Sequence, residues 1–228
     1  MKIHSLGLKI SLAVSVLIAA IIVLVVLIVS LQTEALISDL TESEARTANQ
    51  TFSKALQDYE GSAAFRAQLI SFTSDLIDGI VDSNMLLIDR ALTRNGEGFD
   101  EMVVTDTRGV VIWRTNSDIR GDSIIDHKSI AAAISTDQVQ STIETTHDGG
   151  LFVRGASPIK DRWGNLIGVL SCSHDLSLPK YVDEIQHLCN CEVSIFQGDE
   201  RISTTIRDDQ GERLVGTRMY PEIAEAVL

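Results

Sequence analysis

Hydrophobic positions along this chain follow three successive patterns. The first has no polar face at all: between Lys9 and Glu34, 24 residues carry no charge, and Ile10–Leu31 (ISLAVSVLIAAIIVLVVLIVSL) is interrupted only by Ser11, Ser15 and Ser30. A run of this length matches the roughly 20 residues that an α-helix needs to cross about 30 Å of hydrocarbon. The second pattern is helical. Leu36, Ile37, Leu40, Ala48, Phe52, Ala55, Leu56 and Tyr59 recur at three- and four-residue steps among Glu, Asp, Gln and Arg, an amphipathic stripe. Glu60-Gly61-Ser62 is the predicted break, Ser62 capping a second helix that ends near Asn95. A first helix of about 28 residues would rise about 42 Å.

The third pattern alternates with period two. Met102–Thr105, the turn Asp106-Thr-Arg-Gly109 and Val110–Thr115 predict a hairpin. Ser129–Ile134 reads as a short helix and Ser141–Thr145 as a strand. A second hairpin spans Leu151–Ile159, a turn at Lys160–Asn165, and Leu166–Ser173. With helices packed on it, this is an α+β fold built on an antiparallel sheet of about five strands. After Pro179 a shorter cycle begins: helix Tyr181–Leu188, strands Cys191–Phe196, Arg201–Ile206 and Leu214–Gly216, and the start of a helix at Pro221. Three short strands do not bury a face of their own, so this second unit reads as unfinished. The expected division is 1–9 cytoplasmic, 10–31 transmembrane, 32–95 long helices, 100–178 a first sheet module and 180–228 an incomplete second one.

Charge sets the orientation. Lys2, His4 and Lys9 precede the apolar run, and Glu34, Asp39, Glu42 and Glu44 follow it. The positive-inside rule then keeps the N-terminus cytoplasmic and exports the rest. A cleaved signal peptide has a shorter apolar core and a small-x-small cleavage site, which VSLQTEA does not supply, so the run is read as an uncleaved anchor. The net charge is -13, with no acid before Glu34. A surface this acidic excludes binding to nucleic-acid phosphates.

Constellations that would imply chemistry are incomplete. His187-x-Cys189-x-Cys191 brings soft ligands together without the four donors of a zinc site, so no metal is expected, and Asn190 is read as a left-handed helix cap. His147-Asp148 and His174-Asp175 have no placed nucleophile. Neither a phosphate loop nor a dinucleotide fingerprint is present. The chain is read as a non-enzyme without a cofactor.

Two stretches, VVTDTRGVVIWRTNSDIRGDSI and FVRGASPIKDRWGNLIGVLSCSHDLS, resemble a Cache domain, the extracytoplasmic PAS-like sensor module of bacterial chemotaxis receptors and sensor kinases. The order Pro-Ile-x-Asp, turn, Gly-x-x-x-Gly-Val-Leu, Asp-Leu-Ser carries the resemblance. The continuation YVDEIQHLCNCEVSIFQGDERISTTIRDDQGERLVGT resembles the start of the membrane-proximal module of double-Cache methyl-accepting chemotaxis proteins. The resemblance implies the N-terminal, ligand-sensing part of a homodimeric receptor in the bacterial inner membrane, its sensor periplasmic and its partner a small molecule, organic anions among the candidates. A histidine kinase or diguanylate cyclase sensor is the first alternative, and a ligand-free membrane-anchored interaction protein the second.

Within such a module the pocket lies between the concave sheet face and its covering loops. Arg154, in mid-strand before Pro158, stands where related dicarboxylate and citrate sensors carry a ligand-binding arginine, and a guanidinium fork grips a carboxylate in two places. Arg114 and Thr115 end a strand where those sensors carry Ser-His; Thr115 replaces the histidine, and Arg114 also has Asp118 and Asp122 within reach as ion-pair partners. Trp113 faces opposite to Arg114 by strand alternation, so the two do not both line the pocket on an ideal strand; Trp113 is read first as core and second as a candidate contact. Ser173, on the last strand, is a further candidate contact, as is its neighbour Ser171.

Overall fold

A computed structural model describes residues 6–146 and 149–227, apart from the side chains of 6–13, 16, 31–44 and 226. His147 and Asp148 lie outside the described residues. The chain divides into two compact units, Met1–Gln50 and Thr51–Leu228.

The first unit is the leading part of helix α1 (Leu6–Ser71). From Val14 to Val29 its described large apolar side chains are all between 46% and 60% exposed, with no protected face. Among the described residues no helix is long and apolar enough to cross a membrane; the run Ile10–Leu31 falls partly outside them.

In the second unit α1 does not break at Glu60-Gly61-Ser62 as its composition predicts. The break comes ten residues later, where Thr73 turns back to bond the Ile70 carbonyl through both its N–H and its hydroxyl. Packing explains the difference. Ala63, Ala67 and Ile70 are buried against the sheet, and that tertiary contact outweighs the roughly 1 kcal/mol that a helical glycine costs. Helices α2 (Ser74–Val81) and α3 (Met85–Asn95) follow.

Five strands, β1 (Glu101–Thr105), β2 (Val111–Arg114), β3 (Gln140–Thr145), β4 (Leu151–Lys160) and β5 (Leu166–Asp175), form one antiparallel sheet in the order β2-β1-β5-β4-β3. Its hairpin turns use one device. In Asp106–Gly109 and Asp161–Gly164 the aspartate accepts backbone N–H groups two and four residues on, and the glycine adopts positive φ (77° and 86°), a conformation open to glycine at no steric penalty.

One face of the sheet carries Met102, Val104, Trp113, Ile159, Leu170 and Cys172 and packs on Ala67, Ile70, Leu76, Ile88 and Leu92 of α1–α3. Burial in this core pushes the Cys172 thiol up to about 12. Contact is closest at Gly155, where a Cβ would stand 2.2 Å from the backbone of Ala63 and Ala64. The other face carries Ala156 and Val169 against Ile130 and Ala133 of α4 (Lys128–Thr136), which with the 115–127 loop covers it.

Helix α5 (Pro179–Cys189) buries Tyr181, Val182 and Ile185, the first two in a second cluster with Val153, Leu176, Ile195, Phe52, Leu56 and Tyr59. It ends on Asn190 in the left-handed region (φ 51°). Strands β6 (Ser194–Gln197) and β7 (Glu200–Thr204) form a two-stranded sheet, and α6 (Pro221–Val227) closes the chain. The third strand expected at Leu214–Gly216 does not form. Isolated bridges flank that segment, Arg207 to Arg213 and Glu200 to Arg218, and backbone bonds join it to β7, the Gly216 N–H to the Arg201 carbonyl at 2.8 Å and the Arg201 N–H to the Thr217 carbonyl at 2.9 Å, without a continuous ladder.

Candidate functional site

Strand register assembles the site. Thr142, Arg154, Ser173 and Glu101 are direct cross-strand partners across β3, β4, β5 and β1, so all four side chains leave the sheet on the face that α4 and the 115–127 loop cover. There Glu101, Arg114, Ser123, Ile124, Asp126, His127, Thr146, Phe152 and Arg154 line a cavity of about 280 Å³.

Arg154 is the largest fully buried side chain of the described residues. Its Nη1 donates to Glu101 Oε2 at 2.9 Å, and Nε lies 2.7 Å from Glu144 Oε1 in an ion-pair contact that is not aligned as a hydrogen bond. Nε and Nη2 have no hydrogen-bond partner among the described residues. The Phe152 ring lies under the guanidinium, 5.0 Å from centroid to Cζ. A buried guanidinium needs paired charge, since breaking such a pair costs about 3–5 kcal/mol. Two glutamates provide it here. Glu144 is itself buried and accepts from the Ser129 N–H and hydroxyl at 3.3 and 3.1 Å.

Arg114 reaches the same cavity from β2. Its Nη2 pairs with Asp122 at 2.5 Å, and its Nε is buried without a hydrogen-bond partner among the described residues. His127, at the start of α4, presents a buried Nδ1 that likewise lacks one. Burial, reinforced by the charge of Arg154, lowers the His127 pKa from its ordinary value, so the ring is neutral at pH 7. The wall therefore offers several unsatisfied N–H groups, the natural complement of an oxygen-bearing ligand. Acidic groups nevertheless outnumber the two guanidinium groups, with Glu101 and Asp126 on the wall and Glu144 and Asp122 behind it.

Of the residues singled out in the sequence, the structure brings Arg154 and Arg114 together on one cavity. Trp113 lies on the opposite face, 5% exposed in the core, with Nε1 donating to Asp89 at 3.3 Å. Thr115 is exposed and continues the β1–β2 pairing, accepting from the Met102 N–H at 3.0 Å. Ser173 is fully buried, sits in the Arg154 row and has no hydrogen-bond partner for its hydroxyl, but it does not line the cavity. Sequence reasoning missed Glu101, Glu144 and His127. Glu101 had a signal, as an acid heading a strand in register with the arginine; Glu144 and His127 had none, because their proximity depends on β3 and α4 folding over β4. No group of three or more metal-ligating residues forms among the described residues.

Residues 174–228 match the family model of single cache domain 3. The match begins at the end of β5 and takes in α5, β6, β7 and α6. No curated protein matches the sequence. Among solved structures, the sensor domain of the Vibrio cholerae histidine kinase DctB is similar with a TM-score of 0.53 at 17% identity, over 86% of this chain and 76% of that one. The periplasmic domain of Vibrio cholerae LuxQ gives a TM-score of 0.53 at 14% identity, over 73% and 82%. The ligand-binding domain of the Pseudomonas aeruginosa amino acid chemoreceptor PctC, in complex with GABA, gives 0.49 at 15% identity, over 80% and 79%. At these identities the likeness is one of fold. The five-stranded antiparallel sheet with its packed helices is consistent with a PAS-like Cache module.

Proposed function

We propose that this chain is the extracytoplasmic, ligand-sensing part of a transmembrane chemoreceptor, the first section of a double-Cache sensor that works as a homodimer and catalyses no reaction itself. The ligand is a small molecule with a carboxylate, held by Arg154 and Arg114. One observation carries the reading: Arg154, fully buried on the covered face of the sheet, keeps an unpartnered Nη2 beside a cavity whose wall it forms. An unsatisfied buried donor costs about 1–3 kcal/mol, and a bound oxygen would recover it. Because the wall is rich in acids, a ligand that pairs its carboxylate with a positive group suits the cavity better than a polycarboxylate.

Support for the membrane setting comes from the charge-free run and the lysines before it, with the half-exposed apolar side chains Val14–Val29 facing lipid. The DctB likeness supports a second reading, in which the same sensor serves a histidine kinase; whether a strain lacking the gene loses chemotaxis or a phosphorylation response decides between the two outputs.

Isothermal titration of the purified chain with succinate, citrate, amino acids, GABA and ethanolamine tests the site. A carboxylate-bearing member should give saturable heat, Arg154→Lys or Arg114→Gln should weaken it at least about tenfold, and Trp113→Phe should leave it unchanged. Equal affinity in Arg154→Lys would show that the ligand binds elsewhere.

A further inference from the structure

Two consecutive acids at the start of β1 hold opposite faces of the sheet. Glu101 turns into the cavity and pairs with Arg154, keeping 26% of its side chain exposed, whereas Glu144 on the same guanidinium keeps 4% and is fixed by Ser129. Releasing a half-exposed carboxylate into water costs far less than stranding a buried one. Glu101 is therefore the partner that a ligand carboxylate can replace, and Glu144 the one that stays.

Asp100 turns the other way. Its carboxylate accepts from the Tyr181 hydroxyl, the Lys180 ammonium and, at 3.0 Å, the Asp175 N–H. Its own N–H donates to the Ser173 carbonyl at 3.0 Å, and its carbonyl accepts from Asn116 Nδ2 at 2.6 Å. Lys180 and Tyr181 form the first turn of α5. Further along the same helix, Asp183 receives both its carboxylate contacts from Arg213 at 2.8 Å, and Arg213 also binds the Thr204 carbonyl at 2.6 Å at the end of β7. Helix α5 is thus clamped to the five-stranded sheet on one side and to the C-terminal strands on the other.

We propose that Glu101 is a resident occupant of Arg154, displaced by the ligand's carboxylate, and that its release slackens the Asp100 clamp so that α5 carries the signal out of the cavity. The proposal rests on the cavity being the ligand site. Without ligand, Glu101 keeps the buried guanidinium neutralised. Its Cα lies one peptide, about 3.8 Å, from that of Asp100, so a shift of the strand start that accompanies the release of Glu101 would reach the Asp100 carboxylate directly.

Hydrogen exchange of the full chain, measured with no ligand added, separates this inference from the binding reading. Glu101→Gln should raise exchange at the α5 amides, residues 179–189, about tenfold, the scale of a local opening made easier by about 1.4 kcal/mol, while β4 and β5 keep their protection. Tyr181→Phe, which cuts the clamp directly, should give the same pattern, and Arg154→Lys should reproduce it from the other side of the pair. Wild-type exchange at α5 in Glu101→Gln, with Tyr181→Phe accelerated, would overturn the coupling. Equal loss across β4, β5 and α5 would also overturn it, by making Glu101 a general support of the core. In the titration, Glu101→Gln should tighten the carboxylate that binds; weaker binding would make Glu101 a ligand contact instead of a competitor.

Discussion

His174 shows how a single buried ring ties charge to stability. It is 6% exposed, its Nδ1 bonds the Tyr181 hydroxyl at 3.0 Å, and Tyr59, Phe99 and Tyr181 surround it with ring centroids at 4.8–5.9 Å. Burial lowers its pKa. The unfolded chain therefore takes up the proton first, so the contribution to stability is present above about pH 6.5 and is lost as pH falls toward the folded-state pKa. Asp100 behaves differently. Burial alone would raise its pKa, but hydrogen bonds from Lys180, Tyr181 and the Asp175 N–H hold it below the ordinary value, so its contribution is lost only below about pH 4. Thermal unfolding of His174→Gln should thus decline less steeply than wild type between about pH 6.5 and pH 5, with His127 supplying the remaining slope; an unchanged slope would exclude His174 as its source. At this scale the sequence revealed the cavity's cations and Asp122, the partner of Arg114, but not the two glutamates that hold Arg154. Arg154 and Arg114 are conspicuous as charges inside apolar strands. Glu144 sits in a polar strand, and only register against β4 shows where its carboxylate goes.

At the scale of elements, the sequence predicted the sheet, the helix end at Asn95 and the left-handed cap at Asn190 well, and the internal helix break poorly. All five strands of the main sheet were legible because alternating β-branched runs are bounded by Asp-x-x-Gly turns. The helix α1 ran past its predicted break because the decision lay in a contact with a strand about ninety residues later in the chain. That contact is testable. Gly155→Ala places a methyl where the Ala63 and Ala64 backbone already stands, and overpacking of this kind costs about 1–3 kcal/mol or more. Urea unfolding should show a lower midpoint with little change in slope. A midpoint equal to wild type would mean that α1 and β4 separate freely at this point. Leu214–Gly216 was misread for the opposite reason: its sequence suits a strand, but it meets its neighbours through isolated backbone bonds, Leu214 to Ile206 and Gly216 to Arg201, that do not join into a ladder.

For the whole molecule, the proposed arrangement makes a directional statement. With Lys2 and Lys9 cytoplasmic, and with the partly exposed Cys189 and Cys191 first replaced by serine, a cysteine introduced at Trp163, which is 76% exposed in the β4–β5 turn, should react with a membrane-impermeant maleimide in intact cells, while one introduced at Ser5 should react only after lysis. The chain should also remain with the membrane fraction in high salt, as an inserted span does and an electrostatically bound protein does not. Labelling of the two sites in the reverse pattern would invert the topology. The sequence stated this orientation more fully than the fold does, because the rule that sets it acts on charge counts beside an apolar run and requires no tertiary contact.

None of the three cysteines forms a disulfide. Cys172 is sealed in the core with its thiol held protonated, so it is a poor nucleophile toward oxidants. The described fold is held by packing, hydrogen bonds and ion pairs. Its melting temperature should therefore be the same with and without dithiothreitol.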